Sequence, residues 1–279
     1  MTASFSTDAS VSFTSVSFNH DNADLALAYA RTSGPQFSHG RLLLDALALQ
    51  EGESLLDLGA GTGELARLAC ERVGATGSVL ALEPLADRVA LARSQPRANL
   101  RFEPGGSGDL ATLAAASFDV VLLNSVFHWI PDQPRLLSDL ARLLKPGGRL
   151  GLSTGIADRP HQQALLLAPL LAEAAGDAPA GLLTPPHVVN QELLNQQLVA
   201  AGFNDIRIEA HTFVDHFDDL RALLEWNSSS FFGNFLDGFS SSQTTKFWVA
   251  AERTLEEHRT EKGIQLERYL LLVTAQWPN

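Results

Sequence analysis

The 279-residue chain has a formal net charge of −12, with 20 Lys and Arg against 32 Asp and Glu. No Lys/Arg cluster of the kind that neutralises phosphates occurs, so nucleic acid is excluded as the expected partner. Cys70 is the single cysteine, which excludes an internal disulfide and leaves no thiolate metal site.

Residues 1–17 are rich in Ser and Thr and lack both a basic start and a continuous apolar stretch. They are read as a mostly disordered leader rather than a secretory signal. No later run reaches the roughly 18 apolar residues that span a bilayer, so no membrane insertion is expected and the cytoplasm is the default location. Apolar residues at helical spacing predict helices over Ala23–Arg31 and His39–Leu49, an N-terminal cover within residues 18–50. A strand follows at Ser54–Leu58 and runs into a glycine loop, Gly59, Gly61 and Gly63, ahead of a helix over Glu64–Val73. Strand, tight loop and helix N-terminus in this order suit a nucleotide-like ligand. The dinucleotide fingerprint wants a sixth-position glycine where Glu64 stands, and no Gly-Lys-Ser/Thr follows, so NAD and phosphate-cradling loops are both disfavoured. Asp57, at the mouth of the loop, would repel a pyrophosphate and suits a cofactor with a positively charged amino acid end.

A second strand is expected over Ser78–Leu82, ending in Glu83 and Pro84, then a helix over Ala86–Ser94 and a short strand at Leu100–Glu103. Val120, Val121, Leu122 and Leu123 mark Phe118–Asn124 as a parallel strand buried on both faces. A helix over Gln133–Leu144 is stopped by Lys145-Pro146-Gly147-Gly148, and Arg149–Ser153 resumes the sheet. Alternating strands and helices predict an α/β fold with a doubly wound, mostly parallel sheet: one domain over residues 18–279, with its ligand-binding core at 51–155. Helices at Pro160–Ala175 and Gln191–Ala201 occupy an insertion at 156–204, with a Pro-rich loop at Thr184–His187 between them. Strands are expected near Asp205–Thr212 and Arg268–Ala275. Arg207, His211 and His216 lie on or after the first of these and are candidates to meet a carboxylate. The intervening segment, residues 213–265, is aromatic-rich. It suits a lid over an apolar acceptor, and equally the core of a helical cap or a homo-oligomer contact; the serines and glycines around Phe231, Phe232, Phe235 and Phe239 favour a mobile gate.

The blocks LLDLGAGTGELA, LALEP, SFDVVLLNSVFHWIPD and LARLLKPGGRLGLST resemble, in order and spacing, the class I S-adenosylmethionine-dependent methyltransferases, closest to their broad small-molecule branch. The resemblance covers roughly residues 25–155. It implies a seven-stranded Rossmann-like sheet with an antiparallel last strand and a helical cap, and S-adenosyl-L-methionine as cofactor across the carboxyl ends of the first strands. It further implies that Gly59, Ala60 and Gly61 approach the methionine and ribose, that Asp57 faces the amino end, and that Glu83 accepts the ribose hydroxyls. Pro84 would pack on the adenine, Asp109 would meet the adenine amino group, Asn124 and Ser125 would face the cofactor's amino group, and Tyr29 would close over the site. Phe127 and Trp129 would stand beside the departing methyl group, while from the aromatic composition of the later insertion Trp226, Phe231, Phe232 and Phe235 are candidates to enclose the acceptor. His128 is either a base or a wall of the pocket. The implied function is methyl transfer to an apolar or aromatic small molecule, at oxygen or carbon, by an in-line displacement that requires no metal. The alternative is a regulatory module that binds the cofactor without turnover.

Overall fold

The computed structural model describes residues 17–176 and 185–279; the expected leader, apart from Ser17, and Thr184 lie outside these. Helix α1 (Ala23–Thr32) begins at Asn22, whose side-chain oxygen accepts from the Leu25 amide. Helix α2 (Gly34–Leu47) begins earlier than its apolar pattern suggests, because Pro35 is preset for the first turn, and this places His39 in mid-helix.

Five parallel strands follow with their crossover helices: β1 (Ser54–Leu58), α3 (Glu64–Val73), β2 (Ser78–Glu83), α4 (Ala86–Arg93), β3 (Leu100–Pro104), β4 (Phe118–Asn124), α5 (Gln133–Leu143) and β5 (Leu144–Gly155). Then come α6 (Gln162–Ala175), α7 (Gln191–Ala200), β6 (Asn204–Phe217), α8 (Leu220–Ser230), α9 (Ser241–Glu256), β7 (Arg259–Thr260) and β8 (Gly263–Gln276). The sheet runs β3-β2-β1-β4-β5-β8-β6. β8 is antiparallel to both its neighbours, and the expected seven strands are joined by an eighth, the two-residue β7 beside β8.

Residues on β1 and β4 alternate between two apolar layers. Leu56, Val121 and Leu123 pack with α5 and α7, while Leu55, Val120 and Leu122 pack with α2, α3 and α4. With both faces covered, the crevice at the carboxyl ends of the strands is the expected place for a site.

β6 runs on to Phe217, so Phe213 and Phe217 belong to a strand rather than to the connection that follows it. That connection folds as a cap, with α8 and α9 packed against α6 around Phe235 and Phe247, which are fully buried with ring centroids 5.9 Å apart. The expected gate is thus largely a packed core: the flanking serines serve as structure, Ser240 capping α9 through its bond with the Gln243 amide. Among the described residues no helix is long and apolar enough to cross a membrane.

Candidate active site

The glycine loop closes β1 onto β2. The amides of Gly59 and Ala60 donate to Leu82 O at 2.8 and 3.0 Å, and the Gly61 amide donates to Glu83 Oε2 at 2.8 Å. Gly59 has φ of +77°, and a Cβ there would sit 2.3 Å from Val126 Cγ2, so both conformation and space demand glycine. Glu83 is 4 % exposed, and its second oxygen accepts from the Leu85 amide at 3.2 Å. Burial pushes its carboxyl above the usual range, opposed by the neighbouring Arg88 and by these two amides.

Asp57 is 2 % exposed, and its Oδ2 has no hydrogen-bond partner. Burial, reinforced by the charge of Glu83, pushes its carboxyl up to about 7. A buried acid oxygen without a donor costs on the order of 1–3 kcal/mol, so the place is built for a donor the chain does not supply.

A cavity of about 320 Å³ opens beside this loop. It is lined by Gly59, Gly61, Glu83, Pro84 and the turn from Gly106 to Asp109, where Asp109 Oδ2 accepts from the Gly106 amide. His128, Trp129, Trp226, Phe231 and Phe232 line the same cavity, as do Tyr29, Asn124 and Ser125. Asp57 and Ala60 line a smaller recess that shares Tyr29, Gly59 and Asn124 with the cavity. Two expected wall residues lie elsewhere. Phe127 and Phe235 are fully buried in the sheet core and the cap core, because the turn after β4 and the packing of α9 aim their rings inward.

Trp129 meets Phe231 and Phe232 edge-on at 5.6 and 5.0 Å, which docks the cap against the strand end. Trp226 Nε1 donates to Gln36 Oε1 at 3.1 Å. Asn124 is turned into the protein: its Nδ2 donates to Gln36 O at 3.0 Å and its Oδ1 accepts from Ser153 Oγ at 2.9 Å. Ser125 holds φ of +60°, and its Oγ lies 2.9 Å from His39 Nε2. His128 is 6 % exposed; burial first, and the nearby His161 second, pull its ring down to about 3, so it is neutral at physiological pH. The Gly155 amide donates to His128 Nδ1 at 3.3 Å, which occupies the lone pair that a base would use.

Sequence reasoning passed over Arg88, His161 and Arg268, all of which line the cavity. Arg88, 3 % exposed, lies 4.1 Å from the Tyr29 ring centroid and 5.0 Å from that of Phe232, and donates to Ser229 O at 2.7 Å. Arg268 is held by both oxygens of Asp215, at 2.6 and 3.0 Å. Its signal was visible as a cation interrupting the apolar strand pattern of β8. Arg207, His211 and His216 instead lie on the outer strand, away from the cavity, the first two beside Asp205 and Glu209. Among the described residues no group of three or more His, Cys, Asp or Glu is placed to hold a metal ion.

Residues 29–208 match the methyltransferase domain family. The chain therefore belongs to that family, the class I S-adenosylmethionine-dependent methyltransferases. The chain is 40 % identical over 126 residues to the arsenite methyltransferase of Aquipseudomonas alcaligenes, covering 42 % of this chain and 36 % of the relative. It is 38 % identical over 113 residues to the trans-aconitate 2-methyltransferase of Deinococcus radiodurans, covering 40 % and 42 %. The chain thus spans less than half the length of these relatives. The fold is similar to a solved phosphoethanolamine N-methyltransferase 2 of Haemonchus contortus in complex with S-adenosyl-L-methionine, at 18 % identity and a TM-score of 0.57, covering 92 % of this chain and 58 % of that one. The residues present fit the family's cofactor: the unanswered oxygen of Asp57 matches an ammonium, and the Glu83 carboxylate beside Gly61 has capacity left to accept from hydroxyls.

Proposed function

We propose that the protein transfers the methyl group of S-adenosyl-L-methionine to a small-molecule acceptor with an apolar or aromatic body, at oxygen or carbon. The observation that carries this reading is one cavity lined both by the glycine loop and Glu83 and by Trp129, Trp226, Phe231 and Phe232. A shared cavity allows two molecules to meet, which a regulatory module without turnover does not need. The sulfonium supplies an electrophilic methyl and a neutral thioether leaving group. The chain's own residues hold the two reactants in line and exclude water. Asp57 and Glu83 bind and orient the donor, with Pro84 and Asp109 around its adenine and Asn124 and Ser125 near its amino end. Tyr29 and the Trp129–Phe232 contact cover the site.

In this reading His128 is a neutral hydrogen-bond donor in the pocket wall rather than a base. The relatives' printed acceptors, arsenite and trans-aconitate, differ too much in chemistry to carry over together. Arsenic(III) favours thiolates, and the lone Cys70 is buried beside Asn99 rather than in the cavity. The reading extends to small-molecule biosynthesis in the cytoplasm, where a single thiol stays reduced.

Calorimetric titration with S-adenosylhomocysteine, followed by a methyl-transfer screen against aromatic hydroxy and carboxylic acids, tests it. Saturable binding with product formation is expected. Absence of binding by the folded protein overturns the donor site, and binding with no turnover against any acceptor supports the regulatory module instead.

A further inference from the structure

The cavity has polar lining that an apolar acceptor leaves unused. His128 and His161 both line it, together with Arg268. At His128 the Gly155 amide donates to Nδ1, and the Thr154 hydroxyl stands 3.2 Å from the same atom. At His161 the Tyr269 amide donates to Nδ1 at 3.2 Å. A backbone N–H only donates, so Nδ1 is unprotonated in both rings and the ring proton sits on Nε2. No described residue pairs with either Nε2. Burial, aided at His161 by the charge of Arg268, pulls each ring down to about 3, so the two rings stay neutral donors. Arg268 adds a guanidinium fixed in place by Asp215, by Pro35 O at 3.1 Å and by His39 Nδ1 at 3.0 Å. Of the other acids, Glu83 and Asp109 line the cavity, Asp57 lines the adjoining recess, and Asp215 is paired with Arg268 itself.

Two N–H donors whose ring lone pairs are already taken offer nothing to an ammonium and favour an oxyanion; Arg268, paired with Asp215, adds an N–H donor rather than net positive charge. The geometry points to an acceptor that is a delocalised oxyanion, a carboxylate or an acidic enolate on an aromatic body, held through one oxygen by His128, His161 and Arg268. This rests on the methyl-transfer reading and names its substrate class. The second oxygen attacks the methyl carbon; the carbon–sulfur bond breaks and its electron pair stays on sulfur. The products are a methyl ester or enol ether and the neutral thioether. The acceptor arrives ionised, so no proton has to be removed, which explains a site whose histidines have their lone pairs turned toward the backbone.

The test is calorimetric and uses the protein saturated with S-adenosylhomocysteine. Four probes of similar aromatic body are titrated: cinnamate, cinnamamide, cinnamylamine and the acidic enol 4-hydroxycoumarin. At least one anion should bind about tenfold or more tighter than the amide, with the amine weakest. Cinnamate ahead of the enol assigns a carboxylic acid, and the reverse order assigns an enolate. His161→Phe should lower anion affinity about tenfold while leaving S-adenosylhomocysteine affinity unchanged, and His161→Gln, which keeps an N–H donor, should recover much of the loss. Equal or no binding across the probes, or anion binding untouched in His161→Phe, overturns the inference. Failure to bind S-adenosylhomocysteine is seen before any probe is added and overturns the methyl-transfer reading instead.

Discussion

Asp57 presents an acid oxygen that no protein group answers, and its carboxyl is poised near 7. At neutral pH it is partly protonated before the cofactor binds, and an ammonium brought beside it favours the ionised form. Binding of S-adenosylhomocysteine at about pH 7 should therefore release protons, measured as a dependence of the calorimetric enthalpy on buffer ionisation heat, and Asp57→Asn should abolish that release. Glu83→Ala should weaken the same binding by on the order of 1–3 kcal/mol, the usual scale for losing a charged acceptor. His128 shows the opposite linkage. Its folded value lies below that of a free ring, so below about pH 6.5 the unfolded chain gains a proton that the folded chain refuses. The associated stability is fully present above that pH and is lost as the pH falls toward 3, by up to about 1.4 kcal/mol per pH unit. Urea unfolding between about pH 4 and 7 should show that slope reduced in His128→Gln.

At the scale of elements, the strand, loop and helix of the cofactor half were legible because their signals are local. An apolar run marks each parallel strand, and glycine or proline marks where it stops. Gly59 shows how strict the local code is: a methyl group there meets Val126 and forces a left-handed backbone on an L residue. Gly59→Ala should cost about 1–3 kcal/mol in thermal or chemical unfolding and weaken S-adenosylhomocysteine binding with it. The acceptor wall was legible only in part. Trp129, Trp226, Phe231 and Phe232 could be named as a group of rings, but the inward turn of Phe127 and Phe235 depends on packing that no short window contains. His161 escaped for the same reason, and so did the place of Arg268 in the cavity, although the cation itself stands out in its strand. The guanidinium's partners Asp215 and Pro35 lie far away in sequence, and the register of β6 on β8 is what brings Asp215 beside it.

Across the whole molecule, two layers around the sheet and a third core under the cap divide the labour. The cap is anchored to the cofactor half by Arg31 with Glu225, by Trp226 with Gln36 and by Arg88 with the Ser229 carbonyl. Phe247→Ala would empty the centre of the cap core, with an expected loss of about 3–5 kcal/mol in unfolding free energy. If the cap core and the cofactor half melt separately, S-adenosylhomocysteine affinity should survive better than acceptor affinity in this variant, a contrast that paired titrations would read.

The order of the sheet has a kinetic consequence. β6 leaves the ribosome before β8, yet β8 is its sheet partner, and β8 must slip between β5 and β6 to complete the ladder. Until the whole α8–α9 segment has been made and has folded back, β5 and β6 both present unpaired edges. Such late, long-range pairing is slow and exposes template surfaces for aggregation. Refolding yield should therefore fall with protein concentration, and the vulnerable interval should close when β8 docks, the step that also delivers Arg268 to its cavity.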